Sequence, residues 1–382
     1  MINSRYGNVL ARLSLIIAVS AMLAGCTTAG RVPFTSTEQA EAGIAGIPGA
    51  RIWADDSGAF LGAMQRERAS GGLDATNFKM LALSGGGAEG AYGAGFLGCW
   101  TKSGMRPTFS IVTGASVGAL IAPFAFLGPA YDGVLKRMFT SGDTEGLLQF
   151  AGLNGLFGSG LFREEPLAKL VDTYVTPQLL VAIAAEHAAG RRLFVVTTNL
   201  DSQRTAVWDM GTIASSSDPQ ALALFKSVLL ASTSIPGIFP PELIEVQANG
   251  RVFKEMHVDG SVTANILVVP EAILTSRMAI GDIDPEIYVV VNGKVGPDFK
   301  LVDPGLLPIF QRSFETTIKS NTRNALIAST DFVRQRGWTL RVAAIPDAAP
   351  GLGSTDFDTR KMTSLYDFGC ATALSDARWS TR

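Results

Sequence analysis

A chain of 382 residues with 47% hydrophobic residues and 41 glycines can bury a large core and make many tight turns. Its 32 Lys and Arg against 34 Asp and Glu exclude the basic footprint of a nucleic-acid binder. Two histidines and three scattered cysteines exclude a zinc cluster, and no cofactor is expected. The length suits one large α/β domain or two smaller ones.

Residues 1–25 read as an export signal. Arg5 and Arg12 precede an apolar run over 13–23, too short to cross a bilayer but sized for a signal core. The run ends in Leu23-Ala24-Gly25-Cys26, which resembles the bacterial lipobox and implies a lipidated Cys26 as the first mature residue. The alternative is ordinary cleavage with Cys26 incidental. By the same resemblance, the non-acidic Thr27 implies an outer-membrane lipoprotein facing the periplasm or the exterior. Residues 26–76 are expected to be a tether and preamble. A helix over 52–68 would place Trp53, Phe60, Leu61 and Met64 on one side. The fold proper is expected from 77 to 382.

From Phe78 onward strand and helix signals alternate. Strands are expected at 79–83 and 109–113, with helices at 90–103 and 117–127. Each strand runs into a glycine turn: Ser84-Gly85-Gly86-Gly87-Ala88-Glu89-Gly90 after the first, Gly114-Ala115-Ser116-Val117-Gly118 after the second. In G-x-S-x-G the serine sits on a tight strand-to-helix turn that pushes its hydroxyl out of the fold. Gly86 and Ser116 lie 30 residues apart, the size of one βαβ unit. Such a unit brings both turns to one edge of a parallel sheet, where α/β proteins bind ligands. The amides near Gly86 and Gly87, with that of Val117, are therefore candidate donors to an oxyanion formed by Ser116 attack.

Gly85, Gly87 and Gly90 also match G-x-G-x-x-G, but the acidic ribose ligand of a dinucleotide site is missing, since no Asp or Glu lies between Glu89 and Asp132. No Gly-Lys-Ser/Thr follows for a P-loop. A serine nucleophile needs a base. His187 falls near the end of a helix expected over 177–189, where a surface imidazole suits the helix dipole. His257 shares a strand face with Asp259. No histidine follows Asp259, so the order Ser…Asp…His fails. That leaves Asp259, in an Asp-Gly turn, as the better base, the competing role being turn formation.

These motifs together resemble the patatin-like phospholipase family. Gly85-Gly86-Gly87-Ala88-Glu89-Gly90, the Ser116 turn and Asp259-Gly260-Ser261 occur in the family's order. Residues 231–241, A-S-T-S-I-P-G-I-F-P-P, are similar to the stretch the family carries before its aspartate. The resemblance covers roughly 78–266. It implies a three-layer αβα patatin-like sandwich with a mainly parallel central sheet and a helical C-terminal region. It implies a Ser116–Asp259 dyad, an oxyanion hole around Gly85, Gly86, Gly87 and Val117, and hydrolysis of membrane-lipid or other acyl esters through an acyl-serine. An acyltransferase using the same dyad and a catalytically silent lipid-binding envelope lipoprotein stay open as alternatives. Two positions depart from the pattern. Glu89 replaces a basic residue, so either a phosphate-facing charge is lost or the side chain faces solvent. Ser261 replaces Gly or Ala.

In the remainder, 152–162 alternates glycine with large apolar residues, as a mobile lip over an acyl groove or as a buried loop. A strand is expected at 192–198, with Asn199 and Asp201 shaping a turn or the site rim. A helix is expected over 220–231 and a hairpin at 242–247 and 251–258 around Asn249-Gly250. Strands at 287–291 and 338–344 flank a helical stretch, 306–336. Its Arg312, Lys319, Arg323, Arg334 and Arg336 form a solvated face or meet anionic head groups. Cys99 and Cys370 are either bridged or separately buried. Nothing in the sequence specifies an oligomeric state.

Overall fold

The computed structural model describes residues 31–60, 62, 78–152, 155, 158–275 and 285–381. The export signal, Cys26 and the lipobox lie outside them, as do parts of the 52–68 helix and of the 152–162 segment.

Among the described residues a ten-stranded sheet runs through the molecule. Its main path is β1 (Arg51–Trp53), β5 (Arg204–Asp209), β4 (Arg192–Asn199), β3 (Ile111–Ala115), β2 (Lys79–Leu83), β8 (Glu286–Val291), β9 (Thr339–Ala344) and β10 (Ser380–Thr381). The five central strands are parallel, and antiparallel strands close both ends. A hairpin of β6 (Glu242–Ala248) and β7 (Arg251–Asp259) joins through β7 pairing with β4. Its turn uses left-handed Asn249 and Gly250, as the Asn-Gly pair requires.

The central strands are apolar on both faces because both faces are covered. Leu81, Leu83, Tyr288 and Val290 point into a large core with helices α1 (Gly90–Lys102), α2 (Val117–Leu127), α3 (Asp132–Thr140) and α4 (Ala221–Thr233). Met80, Ala82, Ile287 and Val289 point the other way, against Leu326, Phe332 and Val333 of α5 (Leu306–Gln335). The result is the expected three-layer αβα sandwich. A C-terminal helix, α6 (Thr359–Leu374), crosses α1 closely: a Cβ at Gly95 would overlap the Tyr366 carbonyl, and one at Gly369 the Tyr92 carbonyl. A Cys99–Cys370 disulfide ties this crossing.

Most boundaries fall within two residues of expectation. One element is corrected: the start of the expected 52–68 helix is strand β1, because Ile52 and Trp53 pair with Val207 and Ala206 at the sheet edge. Residues 43–54, expected as tether and preamble, are packed on the body, with Ile47, Ala50 and Trp53 buried. Among the described residues no single helix is long and apolar enough to cross a membrane.

Candidate active site

The site forms where β2, β3 and β8 end, at the carboxyl edge of the sheet. Ser116 occupies the turn between β3 and α2 with φ 53°, a rare conformation for a residue with a side chain. The turn is possible because Gly118 meets the backbone of β2 directly, where a Cβ would overlap the Leu83 carbonyl. Its Ser116 amide donates to Ser232 Oγ (3.0 Å), and Ser232 in turn donates to the Val196 carbonyl (2.7 Å).

The β6–β7 hairpin delivers Asp259 beside it. Asp259 faces Thr197 in the β4–β7 pairing, and its amide and carbonyl are held by the Ser234 carbonyl and the Thr198 hydroxyl, each at 2.9 Å. Ser116 Oγ donates to Asp259 Oδ2 at 2.6 Å, while Oδ1 accepts the Ser261 amide at 2.8 Å. Burial pushes the Asp259 carboxyl up to about 6, and the hydrogen bonds from Ser116 and Ser261 pull the other way. The sequence-predicted nucleophile and base are therefore in direct contact.

The glycine turn that carries the candidate oxyanion donors is fixed on three sides. Asn292 Nδ2 donates to the Ser84 carbonyl (2.8 Å), the Gly85 amide to the Asn265 carbonyl (3.1 Å), and the Ala88 amide to the Ser354 carbonyl (2.8 Å). Gly85 is thus removed from the candidate donors: its N–H already has an acceptor. A Cβ there would collide with Ser261 and Asn265, so its smallness is what the site uses. Gly86 and Gly87 have φ of 156° and 56°, and a Cβ on either would overlap the Asn292 or Ser354 carbonyl. Among the described residues nothing accepts from the amides of Gly86, Gly87 or Val117.

Neither histidine joins the site. His257 is fully buried among Thr197, Asn199 and Glu255, and burial keeps its imidazole below the usual range. His187 lies against Asp209 at 3.7 Å. Asn199 serves a turn, accepting the amides of Asp201 and Ser202, and Asp201 pairs with Arg31. Among the described residues no His, Cys, Asp and Glu cluster could hold a metal.

Ser116 lies between two spaces of opposite character. On one side a cleft of about 540 Å³ carries Glu89, Lys294, Lys300, Arg312, Glu315 and Lys319 on its walls. On the other, Leu120, Phe139, Leu147, Leu167, Leu170 and Phe239 line a narrow apolar space of about 50 Å³.

A family model described as patatin-like phospholipase matches residues 81–272. The chain belongs to the patatin-like phospholipase family. The family is described as one of phospholipases, that is, of lipid hydrolases. Uncharacterized protein R571 of Acanthamoeba polyphaga mimivirus is 26% identical over 197 residues, 50% of this chain and 61% of the relative. VipD from Legionella pneumophila is similar in structure at 14% identity, with 80% of this chain and 68% of that chain covered and a TM-score of 0.37. ExoU, in its complex with SpcU from the type III secretion system of Pseudomonas aeruginosa, is similar at 11% identity, 80% and 53% coverage and a TM-score of 0.30.

The matched patatin-like region contains Ser116 and Asp259 but ends before Asn292 and Ser354, which brace the glycine turn. Neither brace carries a local sequence signal. Ser232 does, in the Ala231–Pro241 stretch. Glu89, the departure from the patatin-like pattern, does not point freely to solvent. It is half-buried in the cleft wall, and burial pushes its carboxyl up to about 8, partly offset by Lys319 and reinforced by Glu315.

Proposed function

We propose that this patatin-like protein cleaves carboxylic esters of membrane lipids through an acyl-Ser116 intermediate, with Asp259 as its general base. The observation that carries the reading is the 2.6 Å contact of Ser116 Oγ with a buried carboxylate between a polar cleft and an apolar space. The substrate ester lies over Ser116 with its acyl chain in the apolar space and its alcohol portion in the cleft. Asp259 Oδ2 takes the Ser116 proton as Oγ attacks the carbonyl carbon. The oxyanion accepts hydrogen bonds from the amides of Gly86, Gly87 and Val117, an arrangement in which each donor is typically worth about 3 kcal/mol. Collapse breaks the bond to the alcohol, which leaves with the proton held by Asp259. Asp259 then deprotonates water, the hydroxide attacks the acyl-serine, and collapse returns the proton to Ser116 and releases the fatty acid.

A base at about 6 is mostly ionised at neutral pH yet far more basic than an exposed aspartate. The Cys99–Cys370 bridge supports an oxidising, extracytoplasmic setting, and with the lipobox it supports an envelope enzyme anchored through Cys26.

Fluorophosphonate labelling with peptide mapping, on the full chain, tests the reading. Label is expected on Ser116, lost in Ser116→Ala, weakened in Asp259→Asn and retained in His257→Ala. Absence of label on folded wild type would overturn it. Growth of a transfer product at the expense of free acid, on adding an alcohol acceptor, would replace hydrolysis with acyl transfer.

A further inference from the structure

At the mouth of the cleft the chain leaves a concentrated group of apolar side chains in solvent. Phe299, Leu301 and Leu306 are 95%, 87% and 88% exposed, and Leu307, Ile309 and Phe310 follow within the same short stretch. Helix α5 begins at Leu306 but buries no side chain before Thr322. Its first four turns therefore stand clear of the core that holds its second half. An exposed apolar group of this extent marks a surface built to be covered.

Two features point to what covers it. The group is continuous with the site, because Lys300 and Phe310 line the cleft that holds Ser116. A lipid leaving a bilayer for that cleft must pass this edge. The group also borders cations, with the carboxylates of Asp298, Asp303 and Glu315 among them. Lys300 stands between Phe299 and Leu301, and Arg312, Lys319 and Arg323 line the cleft wall behind it. Long basic side chains among apolar ones can keep their charge at the head-group level while the apolar neighbours enter the acyl region.

We propose that residues 299–310 form an interfacial lip that seats the cleft on an anionic bilayer. The proposal rests on the reading of the cleft as a lipid esterase site. It is independent of any anchor at Cys26, and it assigns the exposed start of α5 to a lipid surface.

The test uses the full chain carrying Cys26→Ser, so that acylation cannot cause membrane binding. Vesicles of phosphatidylcholine alone and with phosphatidylglycerol are compared in sedimentation. The parent should partition more strongly onto the anionic vesicles. Replacing Phe299, Leu301 and Leu306 together by serine should lower that partition about a hundredfold or more, since a buried side chain of this size contributes on the order of tenfold. Hydrolysis of a soluble short-chain ester should stay unchanged in the triple variant, which also shows that it folds. In a separate Leu301→Trp variant, vesicles with brominated acyl chains should quench the new indole.

Unchanged vesicle partition in the triple variant would overturn the lip. A dimer that becomes monomeric in the triple variant, with partition unchanged, would assign the surface to a second copy instead. Failure of the esterase reading looks different: the parent would not hydrolyse the soluble ester at all.

Discussion

Replacing Asp259 by asparagine should remove the activity and stabilise the fold. Asp259 is 1% exposed, and its carboxyl rises from 3.8 to about 6 chiefly because burial disfavours the charge. Between those values the folded protein keeps a proton that the unfolded chain has lost, so stability falls as pH rises through the window. At about 1.4 kcal/mol for each pH unit, the ionised group costs the fold about 3 kcal/mol above pH 6. Asparagine is nearly the same size, can still accept the Ser261 amide, and can face Ser116 with its NH2. Urea unfolding at pH 8 should therefore show Asp259→Asn more stable than wild type by as much as about 3 kcal/mol. The gain should shrink toward zero by about pH 3, below both values, because wild-type Asp259 is then largely protonated in both states. Ester hydrolysis should fall by about 10²–10⁴, the usual worth of a general base. Equal destabilisation at both pH values would refute the reasoning, since it would mean that the hydrogen bonds of Asp259 outweigh the burial of its charge.

Three further outcomes follow from the site's surroundings. Cys99→Ala or Cys370→Ala should cost about 2–5 kcal/mol in chemical unfolding, because the bridge closes most of the chain into one loop. Asn292→Ala strands the Ser84 carbonyl in the interior, so stability should drop by about 1–3 kcal/mol. It should lower kcat more than it changes KM, because the loosened turn carries the candidate oxyanion donors. Glu89→Gln mimics the protonated form that the folded state favours up to about pH 8. Wild type loses stability between the unfolded value of 4.5 and about 8 as the folded state alone keeps that proton. The Tm advantage of Glu89→Gln should therefore grow from pH 5 to pH 9, and a constant offset would sink the argument.

The parts of this site that the sequence displays are those whose chemistry is local. A strand that must be apolar on both faces shows as the run Met80–Leu83, and an elbow that admits no side chain beside β2 shows as Gly114 and Gly118 around Ser116. The Asn249-Gly250 turn shows how β7 reaches the sheet with Asp259 at its end. What the sequence hides depends on distant packing. Trp53 reads as one face of a helix because its periodicity is compatible with one, and only pairing to β5 makes it a strand. Gly85 reads as a donor because it belongs to a glycine run, and only the position of the Asn265 carbonyl removes its amide from the site.

The same distinction explains the division of labour along the chain. The matched region contains Ser116, Asp259 and the glycine turn; of the turn's three braces the Asn265 carbonyl lies inside that region, whereas Asn292 after β8 and Ser354 just before α6 lie outside it. The two free amides of the turn, Gly86 and Gly87, lie between positions whose hydrogen-bonding groups are already engaged: Ser84 and Gly85 on one side, Ala88 on the other. Orientation of those amides thus depends on where the C-terminal region sits. That region is fixed by the close α1–α6 crossing and the disulfide across it, and α1 itself starts at the end of the same turn. Reducing the bridge should consequently weaken turnover at denaturant concentrations too low to unfold the sheet, with ester hydrolysis lost before the core's fluorescence changes. Coincident loss of both would mean that the C-terminal helix and the glycine turn unfold with the core as one unit.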